Sequence, residues 1–327
     1  MTSQQPLRIL LSRATADRLR ERVDTVLKGR PHELLIAEPT RGHAHGNADV
    51  AYISREVTGS STKHVLTESL EAFYESLRAS PMLQWVHVHS AGLDRPIFPE
   101  LMARGVKVTP SSGANSEPVM QNALAGLLAL ARHLPELMRA QRENRWLKAG
   151  ELTMPRDLRG QKAVIVGWGV IGQRLGEMLR ALGLRISVVR SSAQPVEGAQ
   201  ECVAFEDMAS ILGDADWLVL ACPLTERTRF LVDRAMLSAL PPRAHLINVA
   251  RGEVVREAEL IAALREGRLA GAYLDVYEHE PLAADSPLWQ MPNVIATPHS
   301  AGHSDGNAGR VDGIFLDLLA RWSAEHP

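Results

Sequence analysis

Three glycines, Gly167, Gly169 and Gly172, directly follow the apolar run Ala163-Val164-Ile165-Val166, and a helical pattern follows them. At a strand-to-helix junction the first glycine of Gly-x-Gly-x-x-Gly makes the tight turn. The second lets the backbone approach a pyrophosphate, and the third lets helix and strand pack closely. Val170 and Ile171 then open a helix whose unpaired amides and dipole favour bound phosphate. The pattern reads as a dinucleotide site. The next strand ends at Val189, and the residue after such a strand normally carries an acid for the ribose hydroxyls. Here it is Arg190, followed by Ser191 and Ser192, with no carboxylate before Glu197. An arginine fork suits a 2′-phosphate and serines add neutral donors. NADP(H) is therefore favoured over NAD(H).

A glycine-rich turn works only where a parallel sheet holds it. Strands are expected at Leu7–Leu11, Leu34–Ala37, Val50–Ile53, Trp85–Val88 and Val106–Thr109, with helices Asp17–Leu27, Glu68–Leu77 and Pro99–Ala103 between them. Ser116-Glu117-Pro118 reads as a helix start. That helix runs to about Leu134, and Pro135 kinks or restarts it. A second βαβ series has strands at Ala163–Val166, Ile186–Val189, Trp217–Ala221, His245–Asn248, Ala272–Leu274 and Val294–Ala296. The tail, Asn307–Ala324, is amphipathic and has no second-series strand left to join. It is expected to pack on the first unit. The fold class is α/β, with two doubly wound parallel-sheet domains.

Composition narrows the function. A net charge of -2 over 327 residues leaves no basic surplus to hold a phosphate backbone, so no nucleic-acid partner is expected. The longest apolar stretch, Ala123 to Ala131, is far short of a membrane span, and Met1 to Pro6 does not begin a signal peptide. Two cysteines, Cys202 and Cys222, make no disulfide framework and fit a reducing, cytoplasmic setting. His43 with His45, and His87 with His89, lack a third ligand at a sensible spacing, so no metal is expected.

The segments Cys222-Pro-Leu-Thr-Glu-Arg-Thr228, Leu246-Ile-Asn-Val-Ala-Arg-Gly252, Gly271-Ala-Tyr-Leu-Asp-Val276, Glu280-Pro281 and Thr297-Pro-His-Ser-Ala-Gly302 occur in order. Together they resemble the D-isomer-specific 2-hydroxyacid dehydrogenases, closely from about residue 145 to 302. Ser90-Ala-Gly-Leu-Asp94 resembles the family's substrate loop. The resemblance implies a flavodoxin-like substrate domain at 1–109 plus 300–327 and a Rossmann dinucleotide-binding domain at 110–299. It implies that Arg251 binds the substrate carboxylate and keto oxygen, that His299 is the acid/base and that Glu280 orients it. Asp275 would sit near the nicotinamide carboxamide. Thr225, Thr228, Gly302 and the backbone around Pro223 and Val249 would line the cofactor. Amides near Ser90, Ala91 and Gly92 would take the carboxylate's other side. The family is usually a homodimer through the long Ala-rich helix, where this chain has Val119-Met120-Gln121 in place of Val-Ala-Glu.

The chemistry agrees with these roles. Reducing a 2-keto acid needs a fixed cation, a proton donor and a positioned hydride. Arginine suits the first and histidine the second, and a carboxylate beside the ring stabilises the imidazolium. The expected reaction moves a hydride between NAD(P)H and C2 of a small 2-keto or 2-hydroxy acid of D configuration, in the reductive direction. Two alternatives share the fold: a dinucleotide-sensing corepressor, and a superfamily relative with another substrate.

Overall fold

The computed structural model describes residues 5–61, 65–148 and 150–326. The chain divides into two units, Met1–Asn115 with Ser304–Pro327, and Ser116–His303. The first is built from β1 (Leu7–Leu11), α1 (Arg13–Leu27), β2 (His32–Ile36), β3 (Val50–Ile53), α2 (Arg55–Thr58), α3 (Glu68–Ala79), β4 (Trp85–Val88), α4 (Ile97–Ala103) and β5 (Lys107–Pro110). Its five strands are all parallel, in the order β2-β1-β3-β4-β5. Side chains alternate across a strand. Leu7, Ile9 and Leu11 accordingly enter one core with Leu19 and Val23 of α1, while Leu10 enters another with Leu70, Phe73 and Leu77 of α3. Burial on both faces explains why β1 reads as an uninterrupted apolar run. Helix α1 starts four residues before the expected Asp17, because Ser12 caps it by accepting from the Thr15 amide at 3.1 Å.

The last helix of the chain, Asn307–Glu325, belongs to this unit. Phe315 stacks on Tyr52 with ring centroids 4.5 Å apart. Its buried Asp312 accepts from the Tyr52 hydroxyl at 2.9 Å and from Arg18 Nε at 2.7 Å. His87 on β4 is fully buried, with Nδ1 2.9 Å from Thr109 Oγ1 and Nε2 2.9 Å from Ser111 Oγ. Burial pushes its pKa down to about 4, so the ring is a neutral core group.

The second unit contains α5 (Ser116–Ala131), α6 (Leu134–Arg142), β6 (Lys162–Val166), α7 (Val170–Ala181), β7 (Arg185–Arg190), β8 (Glu201–Ala204), β9 (Trp217–Leu220), α8 (Arg234–Ala239), β10 (His245–Asn248), α9 (Glu257–Arg265), β11 (Gly271–Leu274) and β12 (Val294–Ala296). Seven parallel strands run in the order β12-β11-β10-β9-β6-β7-β8, so the order reverses between β6 and β9. The expected strands are all present, and β8 is an addition. It is a four-residue edge strand, partly exposed, that pairs with β7. Helix α5 ends at Ala131, and the break lies at His133, which takes a left-handed φ of 54°. Pro135 marks the restart: it occupies the first turn of α6, where no amide hydrogen is needed. Helix α5 lies on β11 so closely that a Cβ at Gly126 would meet the Tyr273 ring at 2.4 Å.

Candidate active site

The carboxyl ends of parallel strands carry the expected chemistry, as open α/β sheets do. After β6, Gly167 has φ +99°, and a Cβ there would meet the Cys222 amide nitrogen at 2.6 Å. A Cβ at Gly172 would meet the Gly167 carbonyl oxygen at 2.1 Å, so turn and helix touch backbone to backbone. At Gly169 a Cβ would meet nothing within 4 Å, which leaves open space against the start of α7. Val170 is exposed and Ile171 is partly packed into the core. Two glycines are thus needed by the fold, and the middle one borders room for a ligand at a helix N-terminus. That arrangement fits the diphosphate of a dinucleotide.

Arg190 closes β7 and is half-buried. Ser191 and Ser192 follow it at the sheet edge. The structure adds a residue that the sequence reading did not single out. Arg227, from the loop after β9, donates to the Ser191 carbonyl at 3.3 and 3.4 Å and pairs with Glu206 at 2.8 Å. No spacing rule links positions 190, 206 and 227; the strand order brings them together.

The catalytic candidates follow β10, β11 and β12, three adjacent strands. After β10, the buried Asn248 staples the turn by donating to the Arg251 carbonyl at 3.1 Å and accepting from the Ala250 amide at 3.0 Å. Arg251 Nη1 donates to the Ala250 carbonyl at 2.8 Å. A Cβ at Gly252 would lie 1.8 Å from the Tyr277 carbonyl carbon, so only glycine lets the Arg251 turn seat against the loop after β11. That loop carries Glu280, whose Oε1 accepts from the Tyr277 amide at 3.1 Å. Its Oε2 lies 2.7 Å from His299 Nδ1. The His299 ring is about half exposed and the Glu280 side chain largely covered, so the carboxylate backs the ring and leaves Nε2 facing outward. The Glu280–Pro281 peptide is cis and His299 has φ 50°.

Asp275 is expected at the nicotinamide, but the structure turns its carboxylate inward. Oδ1 accepts from Thr297 Oγ1 at 2.7 Å and the Ser300 amide at 2.9 Å, and Oδ2 accepts from the Ala301 amide at 3.0 Å. With 2% of its surface exposed, Asp275 anchors the loop that bears His299. Thr228 is likewise used internally: its hydroxyl donates to the Pro223 carbonyl at 2.7 Å and accepts from the Thr225 amide at 2.7 Å. Both residues tie their loops together. Pro223 and Thr225 are exposed, Val249 is buried at the end of β10, and Gly302 is partly exposed.

In the other unit, Ser90 Oγ donates to the Gly92 carbonyl at 2.8 Å and ties the loop after β4. The amides of Ala91 and Gly92 have no hydrogen-bond partner among the described residues. His89, just before that loop, has Nε2 2.9 Å from Thr58 Oγ1. Burial, reinforced by the charges of Arg55 and Arg95, pushes its pKa down to about 4. It is neutral at physiological pH and is a poor stand-in for His299 as a proton donor.

A family model described as the NAD binding domain of D-isomer specific 2-hydroxyacid dehydrogenase matches residues 124–301. The chain is 37% identical over 246 residues to glyoxylate/hydroxypyruvate reductase A of Arabidopsis thaliana, covering 75% of this chain and 77% of that protein. Its structure is similar to that of a D-isomer specific 2-hydroxyacid dehydrogenase from Xanthobacter autotrophicus Py2 in complex with NADPH and MES. The TM-score is 0.76 at 28% identity, with 99% and 96% of the two chains covered. It is also similar to an NADPH-dependent glyoxylate/hydroxypyruvate reductase from Sinorhizobium meliloti in complex with NADP and malonate. There the TM-score is 0.73 at 27% identity, with 98% and 94% covered. The matched span contains all seven strands of the sheet that bears the glycine turn, Arg251, Glu280 and His299. The chain therefore belongs to the D-isomer specific 2-hydroxyacid dehydrogenase family, and it is an oxidoreductase of 2-hydroxy or 2-keto acids that uses a nicotinamide dinucleotide.

Proposed function

We propose that this chain reduces a 2-keto acid of the size of glyoxylate or hydroxypyruvate to the D-2-hydroxy acid with NADPH. The observation that carries this reading is the His299–Glu280 pair at 2.7 Å, since it fixes one ring nitrogen and offers the other. Arg251 holds the substrate carboxylate and draws charge from the keto oxygen. His299, as the imidazolium, hands a proton from Nε2 to that oxygen as the alkoxide develops. Glu280 holds the ring in place. The bound nicotinamide supplies the hydride to C2. The resemblance adds the loop at Ser90, Ala91 and Gly92 as a further set of donors to the carboxylate, and its unpartnered amides suit that role.

The NADP preference rests on Arg190, Ser191 and Ser192 in place of a carboxylate. It is supported by the two structural relatives that bind NADPH or NADP. The domain assignment (substrate domain 1–109 plus 300–327, dinucleotide domain 110–299), a homodimer and a cytoplasmic location belong to the same reading. The two free thiols, Cys202 and Cys222, suit a reducing compartment. The relatives are named as reductases or dehydrogenases, and no observation favours a corepressor.

The test is a panel of 2-keto acids assayed with NADPH and with NADH. Glyoxylate and hydroxypyruvate should turn over fastest. NADPH should exceed NADH in kcat/KM by at least about tenfold, the yield of one charge-assisted hydrogen bond. Equal efficiency with both cofactors would end the NADP reading, and failure to reduce any 2-keto acid would end the whole proposal.

A further inference from the structure

We propose that Arg227 is a second cationic grip on the phosphate monoester at the cofactor's ribose, held in reserve by Glu206. This rests on the NADP reading above and deepens it. Strands β7 and β8 pair with Arg190 opposite Ala204. The loop after β7 and the turn that starts at Phe205 therefore leave the sheet side by side. Arg227 lies against both. It is fastened to Ser191 by two donations to its carbonyl, at 3.3 and 3.4 Å. Its guanidinium stands 5.2 Å from the centroid of the Phe205 ring, and Nη2 meets the two Glu206 oxygens at 2.8 and 3.1 Å. On the other side, the charge of Arg190 acts on Cys202, whose sulfur is 3.9 Å from the Ser192 carbonyl. An arginine at the end of β7 and one from the loop after β9 thus flank Ser191 and Ser192.

The two arginines differ in how they are engaged. The Arg190 side chain has no hydrogen-bond or ion-pair partner among the described residues. Arg227 has Glu206, but both members of that pair are about half exposed or more, at 48% and 64%. An exposed pair of this kind contributes little and is readily exchanged. A phosphate monoester carries about −1.5 to −2 charges and accepts forked donation from a guanidinium. It can therefore displace the single carboxylate while the Ser191 carbonyl and the Phe205 ring keep Arg227 in place. A cofactor without that phosphate offers nothing to compete, and Arg227 stays on Glu206. Glu206 then acts as a gate: it lowers the gain from NADPH and leaves NADH untouched.

Dissociation constants for NADPH and NADH, read from nicotinamide fluorescence, test this on the wild type, Arg190→Ala, Arg227→Ala, Glu206→Gln and the Glu206→Gln/Arg227→Ala double variant. Arg227→Ala should lower the NADPH-to-NADH affinity ratio by about tenfold. Glu206→Gln should raise the ratio, and the double variant should lose that rise. A merely structural salt bridge would not produce this pattern. A ratio unchanged in Arg227→Ala, or lowered in Glu206→Gln, overturns the proposal. If Arg190→Ala lowers the ratio and Arg227→Ala does not, the NADP reading stands without Arg227. A wild-type ratio near one, unmoved by either arginine variant, overturns both.

Discussion

Because Glu280 holds His299 Nδ1 at 2.7 Å, Nε2 is the ring atom left to exchange a proton with substrate. His299→Ala should lower kcat/KM on the order of 10²–10⁴-fold, the usual contribution of a positioned acid. Glu280→Gln keeps the shape and removes the negative charge behind the ring, so kcat/KM for reduction at neutral pH should fall by about tenfold or more. An unchanged kcat/KM would show that the pair does not serve the proton transfer. Asp275 calls for a different readout, since it acts through the loop. Asp275→Asn turns one acceptor into a donor facing the amides of Ser300 or Ala301. Unfolding free energy should fall by about 1–3 kcal/mol for the buried group left unmatched. Displacement of His299 should cost up to about 100-fold in kcat. Urea titration and steady-state kinetics on one preparation test both, and a full-rate variant would remove Asp275 from the positioning of His299.

Between elements, the contact that aligns the site is backbone on backbone. Gly252 seats the turn after β10 against Tyr277 in the loop after β11, which sets Arg251 beside the segment that bears Glu280. Gly252→Ala places a carbon inside that contact. One turn must move, at a cost of about 1–3 kcal/mol or more. The expected result is a lower urea midpoint together with a raised KM for the 2-keto acid, as Arg251 leaves its place. An unchanged KM with only a stability loss would separate Arg251 from substrate binding. The other elements also show why some boundaries were legible and others were not. Strand β9 and residues 163–166 of β6 are buried runs of apolar residues and read plainly. Edge strand β8, with the pattern Glu-Cys-Val-Ala, has neither a buried run nor a clear alternation, and pairing with β7 makes it a strand. The α5–α6 break falls at His133 because the backbone there turns left-handed, a choice no residue type at that position dictates.

At the scale of the molecule, acid is the condition to which stability should respond. His87 is held neutral with a pKa near 4 in the fold, against about 6.5 in the unfolded chain. A depressed histidine contributes stability that is full above the unfolded value and is lost as pH falls toward the folded one. The window is therefore pH 6.5 to 4, and one such group costs on the order of 3 kcal/mol across it. His89 and His245, also lowered to about 4, act in the same direction. His87→Gln should flatten the fall in urea midpoint between pH 7 and 4.5, and an unchanged slope would show that His87 is not one of the groups responsible. The proposed homodimer has its own test. Helix α5 spends much of its apolar surface inside its own unit, where Val119, Ala123 and Leu127 are buried. Exposed apolar residues include Leu134, Leu137 and Met138 of α6 and Trp146 and Met154 beyond it. Sedimentation should give a dimer mass at micromolar concentration for the wild type and a monomer for Leu137→Gln/Met138→Gln. A monomeric wild type would refute the dimer.

Local patterns in the chain, through their resemblance to a known family, were enough to announce the reaction. A glycine turn between an apolar strand and a helix, Arg-Gly after one strand, Glu-Pro after another and a histidine after the last each occupy a short segment. Their meaning depends on local backbone geometry, which adjacent residues dictate. The same locality explains why Arg190 could be read as a phosphate cue: it needs only the end of its own strand. Contacts between distant segments were another matter. Packing of β11 beside β12 delivers three donors from residues 297–301 to the Asp275 carboxylate, contacts that no local pattern announces. Thr228 closes its own loop, donating to the Pro223 carbonyl and accepting from the Thr225 amide. Arg227 and Glu206 lie 21 residues apart in sequence, on the loop after β9 and the turn after β8. Only the reversal of strand order, which sets β6, β7 and β8 on one side of β9, brings that pair to Ser191.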